Sequence, residues 1–157
     1  QWLSQHPGDV SIALIVAESN LGNKEYKPAI SVLERALKSA PNNPLVLNNL
    51  AWAYQQEKDP RALPTAEQAF KLAADHPGVM DTLGWLLVEK GDTARALPLL
   101  RKAAEKAPNS PEIRYHLGVA LHKSGDKQAA RKEIDKALAQ NTPFNEIEAA
   151  RALLSTL

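Results

Sequence analysis

A spacing of 34 residues governs this chain. Between Pro77 and Pro108, Leu83-Gly84 and Leu87 fall on one face of a helical pattern, and Glu89-Lys90-Gly91-Asp92 interrupts it. Ala96, Leu100 and Ala103 then share one face of a second helical pattern. The same order returns 34 positions later as Leu117-Gly118, Leu121, Gly125, Ala130, Ile134 and Ala137. A fixed period of this length is expected of stacked helix-turn-helix units. Its physical content is volume. Gly84, Gly118, Ala96 and Ala130 remove bulk where paired helices must approach, while Leu87, Leu100, Leu121 and Ile134 fill the space beside them. Gly91 and Gly125 permit the positive φ that a tight turn often needs.

This alternation resembles the tetratricopeptide repeat (TPR) family, because several columns agree in step. The resemblance implies an all-α, right-handed superhelical solenoid of antiparallel helix pairs with a C-terminal capping helix. On that pattern, residues 1–8 are the tail of a truncated preceding repeat, with Trp2 and Leu3 in its last helical turn. Four repeats follow at 10–43, 44–76, 77–110 and 111–142, and 143–157 forms the cap. Asp9, Asn43-Pro44 and Ser110-Pro111 are helix starts. The second repeat departs from the period: between Tyr54 and Ala66 it is three residues longer than the equivalent stretch of the third, so its helix-helix turn is expected to be lengthened. Asp59-Pro60 predicts an early second helix, Pro64 predicts a bend in it, and the connection to Pro77 is expected to be about one turn short. Phe144, Ile147, Ala150 and Leu154 are expected to cover the last repeat, since a stacking face is otherwise left wet.

The phrases NNLAWAYQQEKDPRAL, DTLGWLLVEKGD, EIRYHLGVALHKSGDKQAARKE and PFNEIEAARALL also resemble the C-terminal repeats of PEP-CTERM-system TPR-repeat lipoproteins. These are bacterial envelope proteins associated with exosortase sorting and exopolysaccharide gene sets. That likeness implies an exported, lipid-anchored parent with a scaffolding role in the extracytoplasmic cell envelope.

Composition narrows the functional classes. Net charge is +1, which indicates no strong pull toward nucleic acid or an anionic membrane. The absence of cysteine excludes disulfides and thiolate chemistry. No apolar run approaches the roughly 20 residues of a membrane span. Four histidines are present: His6 and His76 precede prolines, and His116 and His122 are six apart, on different helix faces. That spacing is not the four-residue interval of paired helical metal ligands. No metal, cofactor or catalytic group is expected.

The expected activity is protein or peptide binding on the first helices, which line the concave wall of such a superhelix. The inward positions are Asn48, Trp52 and Gln55, then Asp81, Trp85 and Val88, then Tyr115, Val119 and His122. Trp52 and Trp85 are equivalent positions and with Tyr115 form an aromatic ladder. Either the indoles pack between neighbouring helices and stiffen the array, or an open ring face grips a ligand. Glu18, Asp81 and Glu89 would repel a carboxylate, so the expected ligand is apolar or aromatic, with a basic group near Asp81. From Arg101 to Lys136 there are nine basic residues against five acidic ones, a mild excess expected on the solvated convex side. Two other readings stand beside the scaffold: a TPR segment regulating a larger enzyme such as a glycosyl transferase, and weak self-association through the truncated N-terminal end.

Overall fold

A computed structural model describes residues 9–140 and 142–157. The expected tail at 1–8 and the expected stop at Asn141 lie outside the described residues. Among those described there are nine α-helices and no strand: α1 Val10–Gly22, α2 Tyr26–Ser39, α3 Pro44–Gln56, α4 Ala62–Leu72, α5 Pro77–Glu89, α6 Thr93–Lys106, α7 Pro111–Lys123, α8 Lys127–Ala139 and α9 Ile147–Leu154. The chain divides into two compact units, Gln1–Asp75 and His76–Leu157. The first holds α1–α4 and the second α5–α9. Within each, every helix packs on the next, α1 also meets α3, and α5 also meets α7.

Helix starts are written locally. Asp9 accepts the Ile12 amide at 3.1 Å, and Asn43 accepts those of Leu45 and Val46 at 3.0 and 3.1 Å. Ser110, Asp92 and Asp126 cap α7, α6 and α8 in the same way. Each such cap satisfies an amide that the helix leaves unpaired. Pro44, Pro77 and Pro111 occupy first-turn positions, where a missing N–H costs nothing.

The core of each unit is the interface between paired helices. Ala13, Ala17, Ala29, Leu33, Ala36, Leu47, Leu50, Ala51 and Ala66 are buried in the first unit. Leu83, Leu87, Ala96, Leu100, Leu121, Ala130 and Ile134 are buried in the second. The glycine column lies where helices touch most closely. A Cβ on Gly84 would stand 2.7 Å from Leu100 Cγ, and one on Gly118 would stand 2.5 Å from Ile134 Cδ1. Neither fits without displacing the facing side chain.

The second repeat has the lengthened inter-helix turn expected of it, but its second helix does not start early and the link after it is not short. Its inter-helix turn spans 57–61, against 23–25, 90–92 and 124–126 elsewhere, so α4 begins late rather than early. Pro64 therefore falls in the first turn of α4, where it displaces no helical hydrogen bond. The links 40–43, 73–76 and 107–110 have equal length; α4 is shorter instead. Arg61 closes the long turn by bonding Asp59 and Glu34 and lying 4.1 Å from the centroid of the Tyr54 ring. Tyr54 donates to Glu34 at 2.7 Å. The final helix is shorter than the segment expected for it, since Thr142–Phe144 are outside any helix and Phe144 packs inward.

One turn residue in every repeat has positive φ: Lys24 (61°), Lys58 (57°), Gly91 (82°) and Gly125 (93°). Gly91 has open space around a built Cβ, so replacing it tests the backbone alone. Gly91→Ala is expected to cost about 1 kcal/mol in chemical denaturation, the left-handed penalty less the entropy an alanine removes from the unfolded chain. Lys58→Gly is expected to shift stability in the opposite direction.

Candidate functional site

The sequence-derived inward residues divide by burial. In the first unit, Asn48, Trp52 and Gln55 are partly exposed along one face of α3. In the second, Trp85, Val119 and His122 are partly exposed. Asp81, Val88 and Tyr115 are not open to a ligand: they are 9%, 0% and 8% exposed. Val88 is fully buried, and Lys123 Nζ on α7 reaches its carbonyl at 3.4 Å. The covered acceptors Asn48 Oδ1 and His122 Nδ1 have no hydrogen-bond partner among the described residues.

Asp81 and Tyr115 belong to a buried polar-aromatic cluster. His116, on α7, points Nδ1 at both oxygens of Asp81 on α5, at 2.9 and 3.0 Å. The Trp85 indole stacks on the imidazole, with centroids 4.3 Å apart and planes 20° apart. Tyr115 lies 5.9 Å from Trp85 and 6.3 Å from Phe144 in the C-terminal segment. Ala150 completes this core, and Ile147, Leu153, Leu154 and Leu157 pack against it. The basic group expected near Asp81 is thus supplied by the chain itself. Trp85 follows the packing reading, with part of its surface still reaching solvent.

Burial works against a charge on His116, but Asp81, Glu146 and Glu112 outweigh it and raise its pKa above the usual 6.5. Burial likewise pushes the Glu146 carboxyl up, and His116 opposes it. Sequence reasoning missed this cluster. Its signal was the 34-residue step itself: His116 stands at the position of Thr82, beside the leucine column, where a histidine meets the preceding repeat's Asp81.

The Arg101–Lys136 stretch, expected to be solvated, also contains a covered ion pair. Glu133 bonds Arg114 at 2.6 Å and Lys136 at 2.8 Å, and both Arg114 and Glu133 are largely covered. Burial disfavours the ionised Glu133, yet the hydrogen bonds from Lys136 and Arg114 hold its carboxyl below the usual range. Arg101, Lys102, Arg131 and Lys132 are exposed, with Asp126 and Asp135 interspersed beside the last two.

Helix pairs with recurring small-large contacts and a shared turn conformation are one half of the comparison with known proteins. The other half is direct likeness. A tetratricopeptide-repeat profile matches residues 87–154. The thermophilic TPR protein TTC0263 of Thermus thermophilus superposes with a TM-score of 0.78 at 19% identity, over 99% of this chain and 86% of that one. The fold is the tetratricopeptide-repeat fold. YrrB, described as a TPR protein with an unusual peptide-binding site, aligns over 99% of this chain and 78% of its own, with TM-score 0.69 and 19% identity. MamA from Desulfovibrio magneticus RS-1 aligns over 85% and 77%, with TM-score 0.67 and 21% identity. No curated protein matches the chain by sequence.

Because Trp85 supports His116 and Tyr115, Trp85→Ala is expected to lower the stability of the second unit by about 3 kcal/mol in denaturant titration. A loss under ~1 kcal/mol would return Trp85 to the exposed-anchor reading.

Proposed function

We propose that the chain is a non-catalytic interaction scaffold that binds a peptide of apolar or aromatic character on its first-helix faces. The observation carrying this reading is the face of α3, where partly exposed Trp52 lies between Asn48 and Gln55. An indole offers a large rigid contact, and flanking amides offer both donors and acceptors suited to a peptide backbone. The TPR fold supports the reading, as does the peptide-binding site named for the structural neighbour YrrB. In the second unit the corresponding surface is the open part of Trp85 with Val119 and His122. Asp81 and Tyr115 serve that surface by holding Trp85 in place.

The cellular setting we propose is the bacterial cell envelope, extracytoplasmic, in protein sorting or exopolysaccharide export. Its support is the likeness of four sequence phrases to PEP-CTERM-system TPR-repeat lipoproteins. Among the described residues no helix is long and apolar enough to cross a membrane.

Selection of random peptides from a displayed library, followed by calorimetry, tests the binding reading. Enriched sequences are expected to carry apolar or aromatic residues. Trp52→Ala is expected to weaken binding by about 10–30-fold, equivalent to roughly 2 kcal/mol, with unchanged circular dichroism. Enrichment of acidic C-terminal peptides alone, or affinity indifferent to Trp52, would contradict it.

A further inference from the structure

We propose that His116 is a proton-operated latch for the C-terminal segment: with its imidazole charged, residues 142–157 stay seated on α7 and α8, and loss of the proton releases them. This proposal is independent of the peptide-binding reading. It starts from the composition of the buried cluster.

His116 is 2% exposed, held by Asp81 and covered by the Trp85 ring. The ionisable groups acting on it are acidic: Asp81 from α5, Glu112 from its own helix, and Glu146 from the turn before α9. Among the described residues, the cations of the neighbouring helices α6, α8 and α9 are exposed or paired elsewhere. The charged residues of α6, Arg95, Arg101, Lys102, Glu105 and Lys106, are exposed. On α8, Glu133 is held by Arg114 and Lys136. On α9, Glu148 pairs with Arg151 at 2.7 Å. Lys123 turns to the Val88 carbonyl.

The carboxylate on the C-terminal segment is the one that matters. Glu146 Oε2 is covered and has no hydrogen-bond partner among the described residues. Two residues earlier, Phe144 inserts beside Tyr115. Seating Phe144 therefore brings Glu146 toward Asp81 and Glu112, and only a charged His116 offsets three acids meeting in a dry site. When His116 is neutral, exposing Glu146 to water removes the repulsion at the expense of the Phe144 contact.

The sign follows from the direction of both shifts. His116 and Glu146 have raised values in the seated state, so seating takes up protons. Seating is complete below the ordinary histidine value and weakens as pH rises through the raised one. Each pH unit between the ordinary histidine value and the raised one lowers the seated-to-released ratio by up to about tenfold, and the fall levels off above the raised value.

Nuclear magnetic resonance on the whole chain reads both ends of the latch. The imidazole signals are assigned with single His→Gln variants, and amide exchange in 142–157, corrected for intrinsic rate, is followed from pH 5.5 to 9. We expect His116 to titrate above 6.5 and protection at Ile147 and Ala150 to fall with the same midpoint while α5 and α6 keep theirs. Asp81→Asn is expected to lower that midpoint by about 1 unit or more; should this variant not fold, the titration of the unaltered chain decides alone. A His116 midpoint at or below 6.5, protection that ignores it, or uniform loss through α5 and α6 would each overturn the latch.

Discussion

The contact on which the third and fourth repeats depend is the approach of a glycine on the first helix to a branched side chain on the second. At Gly84 and Gly118 there is no room for a single further carbon, since Leu100 and Ile134 already occupy it. That approach fixes how far the two helices slide along each other. Once it is set, Leu87, Leu121 and the alanines at 96 and 130 fall into contact without further specification. Helix propensity favours segments of this composition but does not choose the partner or the depth of contact. Volume does.

The same constraint explains where chemistry is allowed. A repeat must keep its leucine, glycine and alanine columns, so variation gathers at positions beside them. Thr82 and His116 are one such position. Thr82 spends its hydroxyl on the Gly78 carbonyl of its own helix at 3.0 Å, whereas His116 reaches across to Asp81. One position therefore carries a local bond in one repeat and an inter-repeat ion pair in the next. Buried pairs of this kind add little net stability over apolar packing, but removing one partner is costly. Here Asp81 and His116 set which faces of α5 and α7 meet, and the aromatic rings fill the space that remains.

Much of this was legible in the sequence. The period, the caps at Asp9, Asn43 and Ser110, and the glycine turns at 91 and 125 are local or strictly periodic, and each appears where expected. Lys24 and Lys58 show the limit of reading glycines alone, because the turn imposes positive φ on lysine as well. The misplaced features were those decided by tertiary competition. Pro64 looked like an interior helix breaker only because Asp59-Pro60 reads as a helix start, whereas the helix begins at Ala62. Asp81, Val88 and Tyr115 looked inward-facing and open, yet a neighbouring helix or the C-terminal segment covers them. A single helical wheel cannot show what the next repeat lays across it.

A double-mutant cycle at positions 118 and 134 tests the governing contact most directly. Unfolding free energies would be measured for the native chain, Gly118→Ala, Ile134→Ala and the pair. If the missing carbon at 118 makes room for the isoleucine, adding it after Ile134 has been truncated should cost at least ~1 kcal/mol less than adding it before. Strict additivity within ~0.3 kcal/mol would mean that the glycine column does not set helix separation, and the account would fall.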